Sequence, residues 1–185
     1  AQVGAKVYGV GDQPASALPP EAREALADYL QIRSFGDEPA AVEQVRQWLR
    51  GKSIDRVECL WERLMYLAAR MREAFSVPGM SRAQTAIFRD KEAMKQAVEK
   101  AGLRVPRHGR ARSTQEAWAA VERCGFPAIV KPIDGAGSKD TYRCNDKQEF
   151  EAALQKVRHI DELSVEEFIE GEELTYDTVC ADGRI

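Results

Sequence analysis

The chain has 185 residues, of which 44% are hydrophobic and 31% are charged, and its net charge at pH 7 is −3. This balance is typical of a globular protein and excludes an intrinsically disordered chain. No run approaches the roughly 18 apolar residues of a membrane span, and the mixed charges lack the basic stripe of a nucleic-acid-binding protein. Neither a membrane nor a nucleic acid is therefore expected as a partner.

The first 80 residues alternate between strand-like and helix-like patterns. β-Branched and aromatic runs predict the strands, and proline at a first turn or apolar residues at helical spacing predict the helices. The predicted elements are strand 5–10, helix 20–29, an extended piece at 30–35, helix 39–49, strand 54–60 and helix 61–75. Such alternation is typical of a parallel α/β sheet.

The sequence Val-Pro-Gly-Met-Ser at 77–81 interrupts this alternation, and it predicts a domain boundary between residues 80 and 81. A capping-box pattern at 113–116 predicts the start of a helix that Gly125 ends. The elements predicted after the boundary are helices 82–88, 91–101, 114–124 and 146–157, an extended segment at 105–112, strands 128–131 and 142–145, and two β-rich runs at 163–169 and 174–181. The second domain is therefore also predicted to mix helices and strands.

The cysteines give no sign of a metal site. They form no Cys-x-x-Cys pair, and the two histidines, His108 and His159, lie close neither to each other nor to a cysteine. The four cysteines are Cys59, Cys124, Cys144 and Cys180. Zinc ligation has little support, and free thiols in a reducing cytoplasm are expected.

Both ends of the sequence look like internal points of a longer protein. It starts without Met, a few residues before a predicted strand, and it carries no signal-peptide pattern there. It stops at Asp182-Gly183-Arg184-Ile185, a turn-like sequence that should lead into a returning strand. A longer, cytoplasmic parent protein is therefore expected.

Lys131 ends the buried strand predicted at 128–131. Because a buried ammonium without a partner is costly, this lysine needs an anion. A loop with two glycines and a serine follows, and its N–H groups can approach phosphate oxygens closely. The loop lacks the spacing of a Walker A motif. Taken alone, the pattern supports equally a triphosphate site and a lysine that reaches solvent beside an ordinary hairpin turn.

An acidic segment, VEEFIEGEELT at 165–175, follows later in the chain. Here a predicted strand ends in carboxylates, and a glycine-containing turn leads into the next strand. Backbone groups at a strand end can read adenine, and a carboxylate can accept hydrogen bonds from its amino group or from ribose hydroxyls. Taken alone, however, this segment is better explained as a solvated acidic hairpin, with adenine recognition as the alternative.

Taken in order, these features resemble the ATP-grasp superfamily, in the neighbourhood of carbamoyl-phosphate synthase, biotin carboxylase and amino-acid ligases. The resemblance is carried by Arg89-Asp90-Lys91, by the strand that ends in Lys131-Pro132, by the glycine loop and by VEEFIEGEE at 165–173. It implies an α/β fold with two parts. Residues 1–80 would form a partial Rossmann-like domain that lacks its first strand, and residues 81–185 the N-terminal portion of an ATP-grasp fold.

The resemblance implies which residues contact the phosphates. Lys91 and Lys131 resemble the two lysines that contact the α- and β-phosphates. Residues 134–140 resemble the flexible loop that closes over them. The loop residues implied to bind the nucleotide are Gly135, Ala136, Gly137 and Ser138.

It also implies which residues contact the nucleoside. Glu166 resembles the carboxylate at the adenine amino group, and Glu167, Phe168 and Ile169 lie in the hinge whose backbone reads the adenine ring. Glu173 resembles the glutamate that binds the ribose.

The implied activity is that of a carbon–nitrogen ligase. ATP-grasp ligases phosphorylate a carboxylate to an acylphosphate, which an amine then attacks. ATP, Mg²⁺, a small carboxylic acid and an amine are the implied cofactors and partners, with a homodimer as an implied assembly. The family's magnesium ligands and substrate-contacting arginine are expected beyond residue 185, and no catalytic residue is assigned. The chain alone is therefore expected to be inactive.

Two other functions stay open. One is a non-catalytic adenine-nucleotide sensor or scaffold on the same fold. The other is an NAD-binding Rossmann domain, which is disfavoured because Pro14 and Asp140 stand at the third-glycine position of the two G-x-G-x-x-G candidates.

Two further charged groups have uncertain roles. Glu58 and Glu62 flank the end of the strand predicted at 54–60, where an open parallel sheet binds ligands, although a structural role is favoured. A basic cluster could face phosphates, although a solvated face is favoured. The cluster comprises Arg82, Arg89, Arg104, Arg107, Arg110 and Arg112.

Overall fold

A computed structural model describes residues 4–134, 137–176 and 178. The chain forms two compact units, residues 1–90 (unit 1) and residues 91–185 (unit 2). The domain boundary predicted at residues 80 and 81 stays a prediction for the parent protein. None of the helices in the described ranges combines the length and the apolar character needed to cross a membrane.

Unit 1 contains a two-stranded parallel sheet and four α-helices. Strand β1 (Val7–Gly11) pairs with β2 (Leu26–Gln31), and helix α1 (Pro20–Ala25) connects them. The parallel pairing expected from the alternation of elements is therefore present. The remaining helices are α2 (Glu38–Trp48), α3 (Met65–Phe75) and α4 (Arg82–Arg89).

Two predictions for unit 1 are wrong. The helix predicted at 20–29 ends at Ala25, because Leu26 and Tyr29 belong to strand β2. The side chains of Leu26 and Tyr29 pack over Gly9 of β1, and a Cβ at position 9 would clash with them. This tertiary contact overrides local helix propensity. Residues 54–60 form no strand. The Val57 carbonyl instead accepts a hydrogen bond of 2.8 Å from the Arg72 side chain.

Helices α2 and α3 carry most of the core of unit 1. Buried side chains from both helices pack with Ile32, which follows β2. The buried core residues of the helices are Ala41, Val42, Val45, Leu67 and Met71. Asp37 starts α2 by accepting a hydrogen bond of 3.1 Å from the Ala40 N–H, which satisfies an otherwise unpaired donor of the first turn.

Unit 2 is built on a four-stranded antiparallel sheet with the strand order β3-β6-β4-β5. The strands are β3 (His108–Ala111), β4 (Ala128–Pro132), β5 (Tyr142–Cys144) and β6 (Leu163–Glu167). The helices are α5 (Lys91–Lys100), α6 (Thr114–Cys124) and α7 (Lys147–Lys156). These agree with the predicted elements to within a few residues. The last predicted run, 174–181, falls largely outside the described residues, and residues 174–176 form neither strand nor helix.

The start and the end of α6 follow the predicted signals, with one difference. Ser113 accepts a hydrogen bond of 3.2 Å from the Glu116 N–H, and Gly125 ends the helix at a φ of 79°. The Glu116 carboxylate, however, accepts from the Arg112 N–H at 2.7 Å, not from Ser113 as a complete capping box requires. Only half of the predicted capping box is present.

The two faces of this sheet differ in chemistry. On one face, apolar residues such as Val130 and Val165 pack against Val121 of α6 and Phe150 of α7 in a buried core. Because side chains alternate along a strand, the register places the polar residues on the other face. The residues of this polar face are His108, Arg110, Lys131, Ser164 and Glu166.

The buried thiols of unit 2 should be unreactive in the native protein. Burial raises the pKa of Cys124, and burial together with the nearby carboxylates of Glu149 and Asp146 raises the pKa of Cys144 to about 11. The thiolate is the reactive form. In a Cys180→Ser variant we therefore expect a disulfide reagent at neutral pH to modify Cys59 before denaturation, and Cys124 and Cys144 only after it. Rapid native labelling of either buried thiol, located by mass spectrometry, would contradict this.

Candidate functional site

The centre of the polar face is a buried cluster of one carboxylate and two lysines. Glu166 on β6 is 5% exposed. Its Oε1 pairs with the Lys131 ammonium of the neighbouring strand β4, and its Oε2 lies 2.5 Å from the Nζ of Lys95 on α5. Lys95 also donates a hydrogen bond of 3.2 Å to the Ser164 hydroxyl. With two cations and one anion, the cluster keeps a net charge of +1.

The lysines keep Glu166 ionised. Burial raises the pKa of this carboxyl, but the hydrogen bonds from Lys131 and Lys95 lower it more, so the pKa lies below its ordinary value. The stabilisation that results is present above the pKa of an unfolded glutamate and is lost as the pH falls through the depressed value. At neutral pH Glu166 therefore stays ionised.

Lys91 lies beside the same end of β4. It is the first residue of α5, and its N–H donates a hydrogen bond of 3.3 Å to the Ile133 carbonyl, just after the strand that carries Lys131. Its Nζ lies 3.4 Å from the same carbonyl. The two lysines that the sequence singled out are thus brought to one end of one strand, from segments far apart in the chain.

The glycine loop follows this strand end. Gly137 and Ser138 are exposed, with φ angles of 71° and 56°. Gly135 and Ala136, which the sequence also assigns to this loop, lie outside the described residues. The Thr141 N–H donates a hydrogen bond of 3.3 Å to the Ser138 carbonyl, and the next residue, Tyr142, pairs with Val130 of β4. The described part of the loop thus leads into β5, beside the strand that carries Lys131.

The predicted hinge residues extend β6. The N–H groups of Glu167 and Phe168 donate to the carbonyls of Arg107 and Pro127, each at 2.9 Å, and thereby continue the sheet. Within the described ranges, the Ile169 N–H has no hydrogen-bond partner, and its side chain is 48% exposed. A donor at the end of the strand is therefore open to a ligand.

The side chains of the hinge have partners of their own. The Glu167 carboxylate pairs with Arg104 and, at 2.5 Å, with the Nε of Arg107. The hydrogen bond from Arg107 holds the pKa of Glu167 below its usual value. The Phe168 ring lies 4.0 Å from the Arg143 guanidinium. Glu173 is exposed and makes no ion pair or hydrogen bond with any described residue, so the structure does not bring it to the cluster.

Sequence reasoning missed Lys95. The signal was available, because Lys91 and Lys95 are four residues apart and share one face of a helix, but nothing in the sequence says that the second lysine is buried. It also missed the contact of His108, the register partner of Glu166, whose Nδ1 lies 2.9 Å from Glu92 Oε2. These groups extend the polar network across α5 and β3.

The basic cluster is occupied by ion pairs. Arg110 and Arg112 both bind Glu162, at 2.6 and 2.7 Å, while Arg104 and Arg107 bind Glu167. These contacts give four of the arginines structural partners.

The two glutamates of unit 1 are ion-paired as well. Glu58 lies 3.3 Å from Arg72, and Glu62 pairs with Arg89. Since residues 54–60 form no strand, the argument that placed Glu58 and Glu62 at a ligand-binding strand end no longer applies. In the part of the chain that the structure describes, no group of three or more His, Cys, Asp or Glu residues is placed to hold a metal ion.

Comparison with known proteins identifies the family of the chain. A family model described as an ATP-grasp domain matches residues 88–185. The D-alanine–D-alanine ligase B of Xanthomonas campestris pv. campestris is 32% identical over 92% of this chain and 49% of its own length. The N-terminal section of the carbamoyl phosphate synthase large chain of Aquifex aeolicus is 32% identical over 49% of this chain and 17% of its own length. The chain spans at most about half of these relatives.

Solved structures agree on the fold. The L-amino acid ligase of Bacillus licheniformis superposes with a TM-score of 0.70, at 23% identity, over 90% of this chain and 45% of its own. An ADP complex of N5-carboxyaminoimidazole synthetase from Staphylococcus aureus gives 0.71, at 19% identity, over 91% and 42%. The family match, which covers more than half of the residues, rests on the segment that contains the lysine–glutamate cluster. The chain belongs to the ATP-grasp family.

Proposed function

We propose that the protein of which this chain is a part is an ATP-dependent ligase that joins a carboxylic acid to an amine through an acylphosphate. Unit 2 would bind the adenine nucleotide of this reaction. The proposal is supported by the names of the relatives, which include D-alanine–D-alanine ligase and L-amino acid ligase.

The observation that carries the proposal is the excess positive charge at the end of β4. Lys95 and Lys131 share the carboxylate of Glu166. A buried positive charge without a full complement of anions favours an anionic ligand. Phosphate oxygens meet this need, and the glycine loop beside them can supply N–H donors.

In the proposed complex, Lys91 and Lys131 contact the α- and β-phosphates, and the loop of Gly135, Ala136, Gly137 and Ser138 covers them. Such cations and donors stabilise the charge that spreads over a phosphoryl group during transfer. The exposed Ile169 N–H would donate to the adenine ring, beside the backbone of Glu167 and Phe168.

Glu166 would accept a hydrogen bond from the adenine amino group, and Glu173 would bind the ribose. Both roles follow from their positions in the VEEFIEGEE segment, at the end of β6 and after it. The ionised state of Glu166 supports its role, because an acceptor is what an amino group requires.

Three further features belong to the same proposal. Mg²⁺ would accompany the nucleotide, as it does in the biotin carboxylase domain dimer of Hydrogenobacter thermophilus 2-oxoglutarate carboxylase, which binds MgADP. None of the described residues is assigned as its ligand. That neighbour also motivates a homodimer. The free state of Cys59, Cys124 and Cys144 supports a reducing, cytoplasmic environment.

Replacing Lys131 tests the nucleotide site directly. We expect Lys131→Ala to weaken the binding of MgADP by about 1–3 kcal/mol, which is the scale of a lost charge-assisted hydrogen bond. Calorimetric titration of the 185-residue chain measures this, and circular dichroism verifies that the variant is folded. Lys100→Ala, an exposed lysine at the other end of α5, is the matched control and should bind as the parent does.

Different outcomes test the nucleotide-binding role of Lys131 and the ligase activity of the parent protein. Unchanged affinity in a folded Lys131→Ala variant would contradict the role of Lys131. Phosphate release by the parent protein, dependent on both an acid and an amine, would support the ligase. Nucleotide binding by the parent protein without phosphate release, over a panel of acids and amines, would favour the sensor or scaffold.

A further inference from the structure

Lys95 is the buried group in unit 2 that the proposed function leaves without a task. Its side chain is 6% exposed, against 24% for Lys131. Both bind Glu166, but they approach different oxygens, Lys95 from helix α5 and Lys131 from strand β4. The more exposed Lys131 is the one that a ligand can reach, and Lys95 lies behind the carboxylate.

We infer that Lys95 is a positioning residue that holds the Glu166 carboxylate in place for the adenine amino group and so makes the site selective for adenine over guanine. This inference rests on the proposed function and extends it to base specificity.

The reason is a competition for Lys131. If Lys131 turns towards a phosphate, it gives up part of its contact with Glu166 Oε1. A carboxylate with no other cation would then be buried and uncompensated, which costs several kcal/mol. Lys95, at 2.5 Å from Oε2, remains in contact and keeps Glu166 charged and in place. The Oε1 that Lys131 releases can accept the hydrogen bond from adenine.

A fixed, charged acceptor also discriminates between bases. Adenine presents an amino group at the position where guanine presents a carbonyl oxygen. Two acceptors facing each other without a proton repel, and the buried carboxylate loses a hydrogen bond with nothing in exchange. If Lys95 did not hold it, Glu166 could turn away or take up a proton, and a protonated carboxyl can donate to the guanine carbonyl. Loss of Lys95 should therefore reduce the difference between the affinities of the site for adenine and guanine nucleotides.

The surroundings of Lys95 fit this task. The Ser164 hydroxyl, on the same face of β6 as Glu166, accepts a hydrogen bond from the ammonium in addition to its ion pair with Glu166, and this bond fixes the direction of the ammonium. Lys95 also lies one helical turn after Lys91, so α5 supplies a phosphate-binding lysine and a positioning lysine from one rigid element. Rigid support of this kind keeps a binding group within the narrow geometry that recognition requires.

The test compares ADP with GDP in calorimetric titrations of the 185-residue chain. For Lys95→Met, which keeps the side-chain volume and removes the charge, we expect ADP affinity to fall roughly tenfold or more and the ADP-to-GDP affinity ratio to fall with it. Lys95→Arg should recover a large part of the ratio, because it restores a cation. Lys100→Ala should leave both affinities unchanged. Lys95→Gln replaces Lys95→Met if that variant does not fold.

The pH dependence of ADP binding gives a readout that a purely structural role would not move. The charged groups around Glu166 are Lys131 of β4, Lys95 and Glu92 of α5, and His108 of β3. Without Lys95 the pKa of Glu166 should rise, so the loss of ADP affinity on acidification should begin at a higher pH. Comparing the variants in a His108→Gln background removes the imidazole that pairs with Glu92 and is the register partner of Glu166.

The possible results are distinct. Failure of the unsubstituted chain to bind ADP would overturn the proposed nucleotide site, and the inference with it. Binding by the unsubstituted chain, with the same ADP-to-GDP ratio and the same pH dependence in a folded Lys95→Met variant, would overturn the inference alone. A lower ratio that Lys95→Arg restores, together with the shifted pH dependence, would support it.

Discussion

Glu166→Leu should lower the free energy of unfolding of unit 2 by about 3–5 kcal/mol, because it leaves two lysines without their buried carboxylate. Urea unfolding at pH 7 measures the loss. The matched control is Glu162→Gln, which disturbs the more exposed pairs with Arg110 and Arg112 and should cost less than about 1 kcal/mol.

The cause of this loss can be checked in two ways. A triple variant with Leu at 166 and Met at 95 and 131 should recover most of the stability, since a buried ionic cluster can be replaced by apolar groups of similar volume. The difference between the wild-type chain and Glu166→Leu should also shrink as the pH falls, because the depressed pKa of Glu166 stabilises only the ionised state. A loss below about 1 kcal/mol at pH 7 would show that the cluster is already compensated by solvent.

Phe150→Ala should destabilise unit 2 by a similar amount, about 3–5 kcal/mol, for a different reason. Phe150 is fully buried, and its ring centroid lies 4.9 Å from that of Trp118 and 6.1 Å from that of Phe126. Truncation leaves a cavity among side chains from two helices and the sheet, and it removes two edge-to-face aromatic contacts.

Urea unfolding followed by tryptophan fluorescence tests this, since Trp118 contacts the cavity. Leu103→Ala, at an apolar residue that is 63% exposed, is the control and should change stability by less than about 0.5 kcal/mol. The folded fraction of Phe150→Ala should still bind ADP, because the cavity lies on the apolar face of the sheet. A loss near that of the Leu103→Ala control would contradict the assignment of Phe150 to the core.

The elements of unit 2 could be predicted because their boundaries are local. Ser113 and Gly125 bound α6, and Asp146 starts α7 by accepting a hydrogen bond of 2.9 Å from the Glu149 N–H. In unit 1 the errors arose where pairing with a residue distant in sequence determines the secondary structure. Leu26 to Gln31 contains good helix formers but pairs with β1, and residues 54–60 look like a strand but pair with none.

In the candidate site, too, the individual residues could be predicted from the sequence, but the contacts between them could not. Lys131 and Glu166 were identifiable, because a lysine and a carboxylate at the ends of buried strands are unusual enough to suggest a function. Their contact could not be predicted, since nothing in the sequence indicates that Glu166 binds Lys131 and Lys95. Ion pairs between residues that are distant in sequence depend on strand order and on the side from which a helix approaches, neither of which the local pattern specifies.

The alternation along β6 has a consequence for how this protein can change. Ser164 and Glu166 face Lys95, while Leu163 and Val165 face the core, although the four are consecutive residues of one strand. The even positions of this short peptide thus carry the polar cluster, and the odd positions carry the apolar core. Substitutions at the even positions should therefore change ligand preference and stability together, because Ser164 and Glu166 are themselves buried, whereas deletion of one residue would exchange the two sets and abolish both properties.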